Sequence, residues 1–151
     1  MSIVYCIDKE KNITYELWRK TLNASDFLQH AERMVADADW RDHRSLHILD
    51  LRGATIGEDI TNDTMEDAAD YFGIFLQSLT LAKVAIVTTV EMKRAEFFAK
   101  CLSRFGHTLK VFKSMDHAVK WLGIDTGEAK SAFERLHAFK KEEGRFILSA
   151  S

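Results

Sequence analysis

The sequence contains no proline and only two cysteines among its 151 residues. Without proline, there is no proline-rich linker or docking segment. Cys6 and Cys101 fall in apolar segments outside any CxxC motif, so we expect two buried free thiols in a reducing compartment. The amino-terminal segment lacks the features of a secretory signal, and no apolar run approaches ~20 residues. We therefore expect a cytoplasmic protein without an integral membrane segment.

Motifs of common catalytic centres are also missing. No GxGxxG or GxxxxGK[ST] loop follows a predicted strand, and neither GxSxG nor HExxH occurs. The six histidines are scattered, and none pairs with another at metal-ligand spacing on a helix face. His47, close to Asp50 in a predicted strand, is interpreted as a core histidine satisfied by that carboxylate. We expect no cofactor, no metal and no catalytic residue set.

The balance of charge gives no electrostatic indication of a partner. The chain has 21 lysines and arginines against 23 aspartates and glutamates, a net charge of −2. A nearly neutral chain has no overall attraction to nucleic acid or to a membrane surface. We therefore expect no nucleic-acid partner.

Hydrophobic periodicity predicts five strands that alternate with helices after an opening hairpin. Ile13, Tyr15 and Leu17 alternate with polar neighbours in the second strand, and the unbroken apolar run at 84–87 is typical of a central strand. This order predicts an α/β fold with a mixed, mostly parallel five-stranded sheet, the hairpin at one edge and flanking helices. The predicted strands are residues 3–8, 13–20, 46–51, 83–89 and 108–113, and residues 52–62 are predicted to form a loop.

Ligands of open α/β sheets bind outside the carboxyl ends of the parallel strands. Asp50 and Arg52 follow the third strand, Thr88 and Thr89 follow the fourth, and Arg94 lies one turn into the next helix. In one interpretation, the two arginines hold an anion together with the helix amino terminus near Thr89. In the other, Asp50 and Arg52 form a surface pair and the threonines are ordinary helix caps.

The aromatic content offers a second possible site. Several phenylalanines lie on segments that are expected to meet, where they either fill the core or line an apolar pocket. Aromatic residues at helical spacing favour the core. The residues concerned are Phe72, Phe75, Phe97, Phe98, Phe105 and Phe112.

Four features of residues 1–123 carry a family resemblance. They are the opening hairpin, the segment LHILDLRGATIG, the segment KVAIVTT with the following RAEFFAKCLSRFG, and the closing LKVFKSMDHAVKWLG. With these features the chain resembles the SpoIIAA-like, or STAS-type, domains, including the bacterial branch grouped with SEC14-like lipid-binding domains. The resemblance implies a SpoIIAA-like α/β domain over residues 1–124, followed by a helical extension over 125–151.

The resemblance also implies a function. We expect a non-enzymatic module that binds a protein partner or a small apolar or anionic ligand in bacterial signalling or regulation. The alternative is a small enzyme or lipid carrier that uses the crevice at the carboxyl ends of the third and fourth strands.

One segment departs from the family pattern. Anti-sigma-factor antagonists of this family carry a phosphorylated serine in the loop after the third strand. The matching residues here are Gly57, Glu58, Asp59 and Ile60, which include no serine. A kinase-switched antagonist is therefore not expected, although Glu58 or Asp59 would imitate a constant negative charge.

The carboxy-terminal helix beyond the resemblance has an apolar stripe. A solvated stripe of this size would expose large side chains, so we expect it to be covered. Either its own domain or a second copy of the chain covers it, and the second case predicts a homodimer. The stripe comprises Ala129, Ala132, Phe133, Leu136 and Phe139.

Overall fold

In a computed structural model of the protein, residues 2–76, 82–141 and 143–148 are described. No helix within these ranges is long and apolar enough to cross a membrane. The strands are β1 (Ile3–Asp8), β2 (Ile13–Leu22), β3 (Leu46–Ile56), β4 (Lys83–Val87), β5 (Thr108–Phe112) and β6 (Arg145–Ile147). The helices are α1 (Ala24–Ala36), α2 (Ala38–Asp42), α3 (Asn62–Leu76), α4 (Met92–Ser103), α5 (Met115–Leu122) and α6 (Thr126–Ala138).

The strands form one mixed sheet in the order β5-β4-β3-β2-β1-β6. Strands β2 to β5 run parallel, and β1 is antiparallel to β2 in the predicted hairpin. The prediction of a mixed, mostly parallel α/β fold is therefore confirmed. The expected number of five strands is wrong, because the carboxy-terminal segment pairs with β1 as a sixth strand. For the same reason, β6 and not the hairpin forms that edge of the sheet.

Helices cover both faces of the sheet. Helices α5 and α6 pack on the face that presents Ile48 and Val87. Helices α1, α3 and α4 pack on the opposite face, which presents Leu49 and Ile86. Because successive side chains of a strand point to opposite faces, the central strands are buried on both sides. Residues 84–87 lie inside the sheet between β3 and β5, as predicted.

Strand β3 extends further than predicted. It continues to Ile56 and pairs with the second half of β2, beyond an irregularity between Leu17 and Arg19. Residues 52–56, predicted as part of a loop, therefore belong to the sheet. The residues that match the family's phosphorylated loop begin directly where β3 ends.

The apolar stripe of α6 packs on the sheet of its own chain. Phe133 meets Tyr15 of β2 edge to face, with ring centroids 5.7 Å apart, and Leu136 is completely buried. Arg19 of β2 donates to the carbonyl oxygens of Leu136 and Phe139, at 3.4 and 2.9 Å. Burial of each large side chain contributes about 1.5–3 kcal/mol. The stripe therefore stabilises the monomer and is not available as a dimer surface.

Candidate functional site

The predicted crevice residues of β3 form an ion pair of their own. Asp50 is buried, and its carboxylate accepts from Arg52 Nε at 2.9 Å and from Arg52 Nη2 at 3.0 Å. The hydrogen bond to Asp50 raises the pKa of Arg52. By the alternation of β3, both side chains lie on the face that α5 and α6 cover. The geometry thus matches the interpretation as an Asp–Arg pair.

The predicted residues after β4, Thr88 and Thr89, lie shortly before the start of α4. Thr88 is fully buried, and its hydroxyl accepts from Glu91 N at 3.2 Å, whereas Thr89 is exposed. Arg94 lies on α4, which packs on the face opposite Arg52. Because the sheet separates the two guanidinium groups, the structure does not bring them together as one anion site.

Arg94 instead holds the loop that follows β3. Its Nη1 donates to Gly57 O at 2.7 Å, and its Nη2 donates to Ile56 O at 2.9 Å. Asp59 accepts from Ala24 N at 3.0 Å, whereas Glu58 is exposed. A side chain at Gly57 would approach a backbone oxygen to 2.6 Å, so this position requires glycine. The loop matching the phosphorylated segment is thus fixed by arginine contacts and close backbone packing.

A cavity with a mostly apolar wall lies elsewhere, between the sheet and helices α1 to α4. Its volume is about 80 Å³. Arg44, Ala82 and His107, which lie one or two residues before strands β3, β4 and β5, place one end of it at the amino ends of the parallel strands. The apolar lining residues are Trp18, Phe27, Ala31, Met34, Trp40, Leu49, Phe72, Ala82, Val84, Ile86, Phe98, Leu102 and Leu109, and the ionisable ones are Glu16, His30, Arg44, His47 and His107.

The predicted aromatic cluster contributes only part of this lining. Phe72 and Phe98 line the cavity. Phe112 lies on the opposite face, with its ring centroid 5.5 Å from that of Trp121. Phe97, on α4, is half-buried against the core, and the side chain of Phe75 lies outside the described residues. Of the five phenylalanines whose side chains are described, the pocket interpretation applies to two.

Arg44 places a positive charge in the cavity wall. The residue is only 4% exposed, and its Nε and Nη2 have no hydrogen-bond partner among the described residues. Its guanidinium carbon lies 5.8 Å from the ring centre of Trp40. Trp40 is also 4% exposed, and its buried Nε1–H finds no acceptor in the same ranges. Unsatisfied buried donors are costly, so their clustering indicates an acceptor that the described residues do not supply.

His107 lies at the same end of the cavity. Its Nδ1 accepts from Ala82 N at 3.1 Å. Burial, and then the charge of Arg44, lower the pKa of His107. A neutral His107 therefore adds no second cation beside Arg44.

A buried carboxylate forms the other polar part of the wall. Glu16 is 1% exposed and accepts from Trp18 Nε1 at 2.5 Å. Its two oxygens also lie 2.5 Å from His30 Nε2 and 2.8 Å from His47 Nε2. Burial alone raises the pKa of Glu16, but the two histidines lower it to well below its ordinary value. The carboxylate is thus ionised in the folded protein.

His47 was expected to be satisfied by Asp50, and that pairing is wrong. The two residues are three apart on β3, so their side chains point to opposite faces of the sheet. His47 instead contacts Glu16 of the neighbouring strand β2. This contact depends on how β2 and β3 pair, which the sequence pattern does not give.

Sequence reasoning missed Glu16, His30 and Arg44. An acidic residue in a strand with apolar neighbours would have indicated Glu16 only if both faces of β2 were known to be covered. Within the described part of the chain, no three ionisable side chains are arranged to hold a metal ion. No protein-family model matches this chain, and neither does any curated protein.

Proposed function

We propose that this protein is a non-enzymatic binding module for a small apolar anion, held in the cavity between the sheet and helices α1 to α4. The observation that supports this proposal is the buried guanidinium of Arg44 in an otherwise mostly apolar wall, with its Nε and Nη2 unpartnered among the described residues. Arginine is charged at any physiological pH and binds carboxylates through several donors. An empty cavity leaves this charge desolvated, and a bound anion neutralises it.

The size and charge of the cavity restrict the ligand. A volume of about 80 Å³ admits roughly six water-sized atoms, since one water needs about 10–15 Å³. A single cation among apolar side chains favours a monoanion over a dianion, whose second charge would be buried without a partner. A short-chain carboxylate such as butyrate meets both conditions.

The resemblance to STAS or SpoIIAA-like domains is compatible with this proposal. We propose membership of that family, with the ligand cavity at the amino ends of the strands in place of the crevice at their carboxyl ends. Arg94 and Arg52, the two cations expected in that crevice, are already engaged by protein oxygens. The fixed loop from Gly57 to Asp59 offers no serine for a kinase, so regulation by a ligand replaces regulation by phosphorylation.

Titration of the whole chain with butyrate and with the neutral butyramide tests the proposal. We expect the indole N–H resonance of Trp40 to shift with butyrate and not with butyramide. Trp121, on the opposite face of the sheet, provides an internal control. Equal shifts with both compounds, or no shift with either, would contradict the proposal.

Replacement of Arg44 by methionine adds a second test. Because methionine keeps an apolar chain and removes a buried unpaired charge, Arg44→Met is expected to stabilise the ligand-free protein by about 1–3 kcal/mol. The same variant should bind butyrate at least about tenfold more weakly. Arg104→Met, at an exposed arginine of the α4 carboxyl end, is the matched control. A large loss of stability in Arg44→Met without loss of binding would show that Arg44 is a structural residue.

A further inference from the structure

A second, smaller cavity lies end to end with the one that Arg44 lines. Its volume is about 40 Å³. Alternate residues of β3 line the two cavities in turn, since His47 and Leu49 line the first, whereas Leu49 and Leu51 line the second. Because alternate side chains of a strand share one face of the sheet, the second cavity lies one step closer to the carboxyl ends of the strands.

Among the described residues, five side chains line both cavities. Trp18, Leu49 and Ile86 belong to strands of the sheet, and Phe27 and Phe98 belong to helices α1 and α4. The rings of Phe27 and Phe98 meet edge to face with centroids 5.4 Å apart, and Phe27 meets Trp18 edge to face at 5.8 Å. Rings in such contact leave no room for an alkyl chain between them, so these three rings form a partition between the cavities.

Phe98 is the most accessible member of the partition. The other four side chains that line both cavities are buried, whereas Phe98 is half-buried on α4. A change at Phe98 therefore opens the partition from the helix side and leaves the sheet intact. Phe97, the preceding residue, is half-buried on the same helix and is not among the described residues that line the two cavities.

We propose that Phe98 determines the length of the ligand, because it ends the alkyl chain at the partition. This inference rests on the proposed function, in which Arg44 binds the carboxylate. The first cavity admits roughly six non-hydrogen atoms, as many as butyrate has, and the second would add roughly three. The ligand class is thus a monocarboxylate of about four carbons, and opening the partition extends the limit to roughly seven.

A series of carboxylates of increasing length tests the role of Phe98. The full-length protein is titrated with butyrate, hexanoate and heptanoate. We expect the wild type to bind heptanoate at least about tenfold more weakly than butyrate, because the closed partition resists the extra carbons. In Phe98→Ala the order should reverse, with up to about fourfold tighter binding for each methylene that enters the second cavity. Phe97→Ala is the matched control and should keep the wild-type order.

The outcomes of this series separate the two proposals. A wild type that binds heptanoate as tightly as butyrate would overturn the role of Phe98, and so would an unchanged preference in a folded Phe98→Ala protein. Both results leave the proposed function standing. Absence of binding by all three acids would contradict the proposed function itself.

Two methionine methyl groups report where the ligand lies. Met34 lines the first cavity and Met65 lines the second. Butyrate should shift the methyl resonance of Met34 and not that of Met65 in the wild type, whereas heptanoate should shift both in Phe98→Ala. Equal shifts of both methyl groups by butyrate in the wild type would overturn the inference.

A milder variant guards against loss of the fold. Removal of a phenylalanine side chain from a core is strongly destabilising, whereas leucine keeps most of the apolar contacts. Phe98→Leu should show the same change of preference to a smaller extent. Where neither variant folds, the wild-type preference for butyrate over heptanoate and the wild-type methyl shifts decide the inference.

Discussion

Arg145 of the last strand forms an ion pair with Asp37, with Nε 2.8 Å from Oδ2. Asp37 lies between α1 and α2, where its carboxylate also accepts from the Tyr5 hydroxyl and from Asp39 N. Burial, and then this contact with Asp37, raise the pKa of Tyr5, so the hydroxyl stays protonated. Arg145 thus completes the contacts of the connection between α1 and α2, although it lies more than one hundred residues further along the chain. This ion pair ties β6 to the rest of the domain.

We predict that this contact makes the carboxy-terminal strand part of the cooperative fold. Arg145→Met should lower the free energy of unfolding by about 1–3 kcal/mol, because the Asp37 carboxylate loses its cation. Urea unfolding measures the change. Asp39→Asn removes the more exposed of the two acidic partners of Arg145 and should cost no more than about 0.5 kcal/mol. Equal effects of the two variants would contradict the prediction.

A second prediction concerns the hydrogen bonds by which Arg94 holds the loop after β3. Arg94→Lys keeps the positive charge but loses the planar set of donors that reaches Ile56 O and Gly57 O. We expect amide hydrogen exchange at Gly57, whose N–H donates to Leu22 O at 2.7 Å, to become roughly tenfold faster. Arg104→Lys, near the other end of α4, is the control. Unchanged exchange at Gly57 would show that the backbone contact alone holds the loop.

Local signals predict helix ends where the capping residue lies within a few residues. The sequence predicts a helix that Ser114 caps and Gly123 ends, and in α5 Ser114 accepts a hydrogen bond from the first turn and Gly123 has a φ of 72°. The spacing of Thr64 and Asp67 predicts a capping box at the start of the third helix, but α3 already begins at Asn62. Instead, Thr64 N lies 3.3 Å from the Thr61 hydroxyl. The contact therefore joins two threonines, whereas the predicted capping box pairs a threonine with an acidic residue.

The candidate site could not be read from the sequence because it depends on strand order. Glu16 stands in a strand with alternating polarity, which is typical of a sheet with one solvated face. Its burial results from β2 lying between β1 and β3 with α1 above it. Arg44 has no local signal at all, since it lies in a cavity wall with residues from other segments, such as Ala82 and His107. The carboxyl-end rule pointed to Asp50 and Arg52, at the other end of the strands.

A third prediction concerns the pH dependence that His107 causes. Its pKa in the folded protein lies below the ordinary 6.5, so the unfolded chain binds the proton at higher pH than the folded one. The stability that neutral His107 contributes is therefore fully present above pH 6.5 and is lost as the pH falls below it. His107→Asn keeps an acceptor for Ala82 N–H and does not titrate. The difference in unfolding free energy between wild type and this variant should change between about pH 7.5 and 5.5, and a constant difference would contradict the assignment.

The last prediction uses Glu16 and a lower pH range. The pKa of Glu16 is held well below its ordinary 4.5, so its stabilising contribution is complete above that value and declines as the pH falls toward the folded-state pKa. At neutral pH, Glu16→Gln keeps an acceptor oxygen for Trp18 and His30, which contact the same oxygen of Glu16, but presents an NH₂ donor to His47. We expect it to cost about 1–3 kcal/mol, the cost of one buried donor without an acceptor.

This cost should shrink when the pH is lowered from about 6 to 3, because the folded wild type must then keep the charged carboxylate while the unfolded chain gains a proton. Urea unfolding of wild type and Glu16→Gln across that range gives the difference directly, and Glu32→Gln serves as the exposed control on α1. The His107 effect is common to wild type and variant, so it cancels in the comparison. A difference that stays constant down to pH 3 would mean that the fold leaves the pKa of Glu16 unchanged, and a cost that grows as the pH falls would mean that the fold raises it.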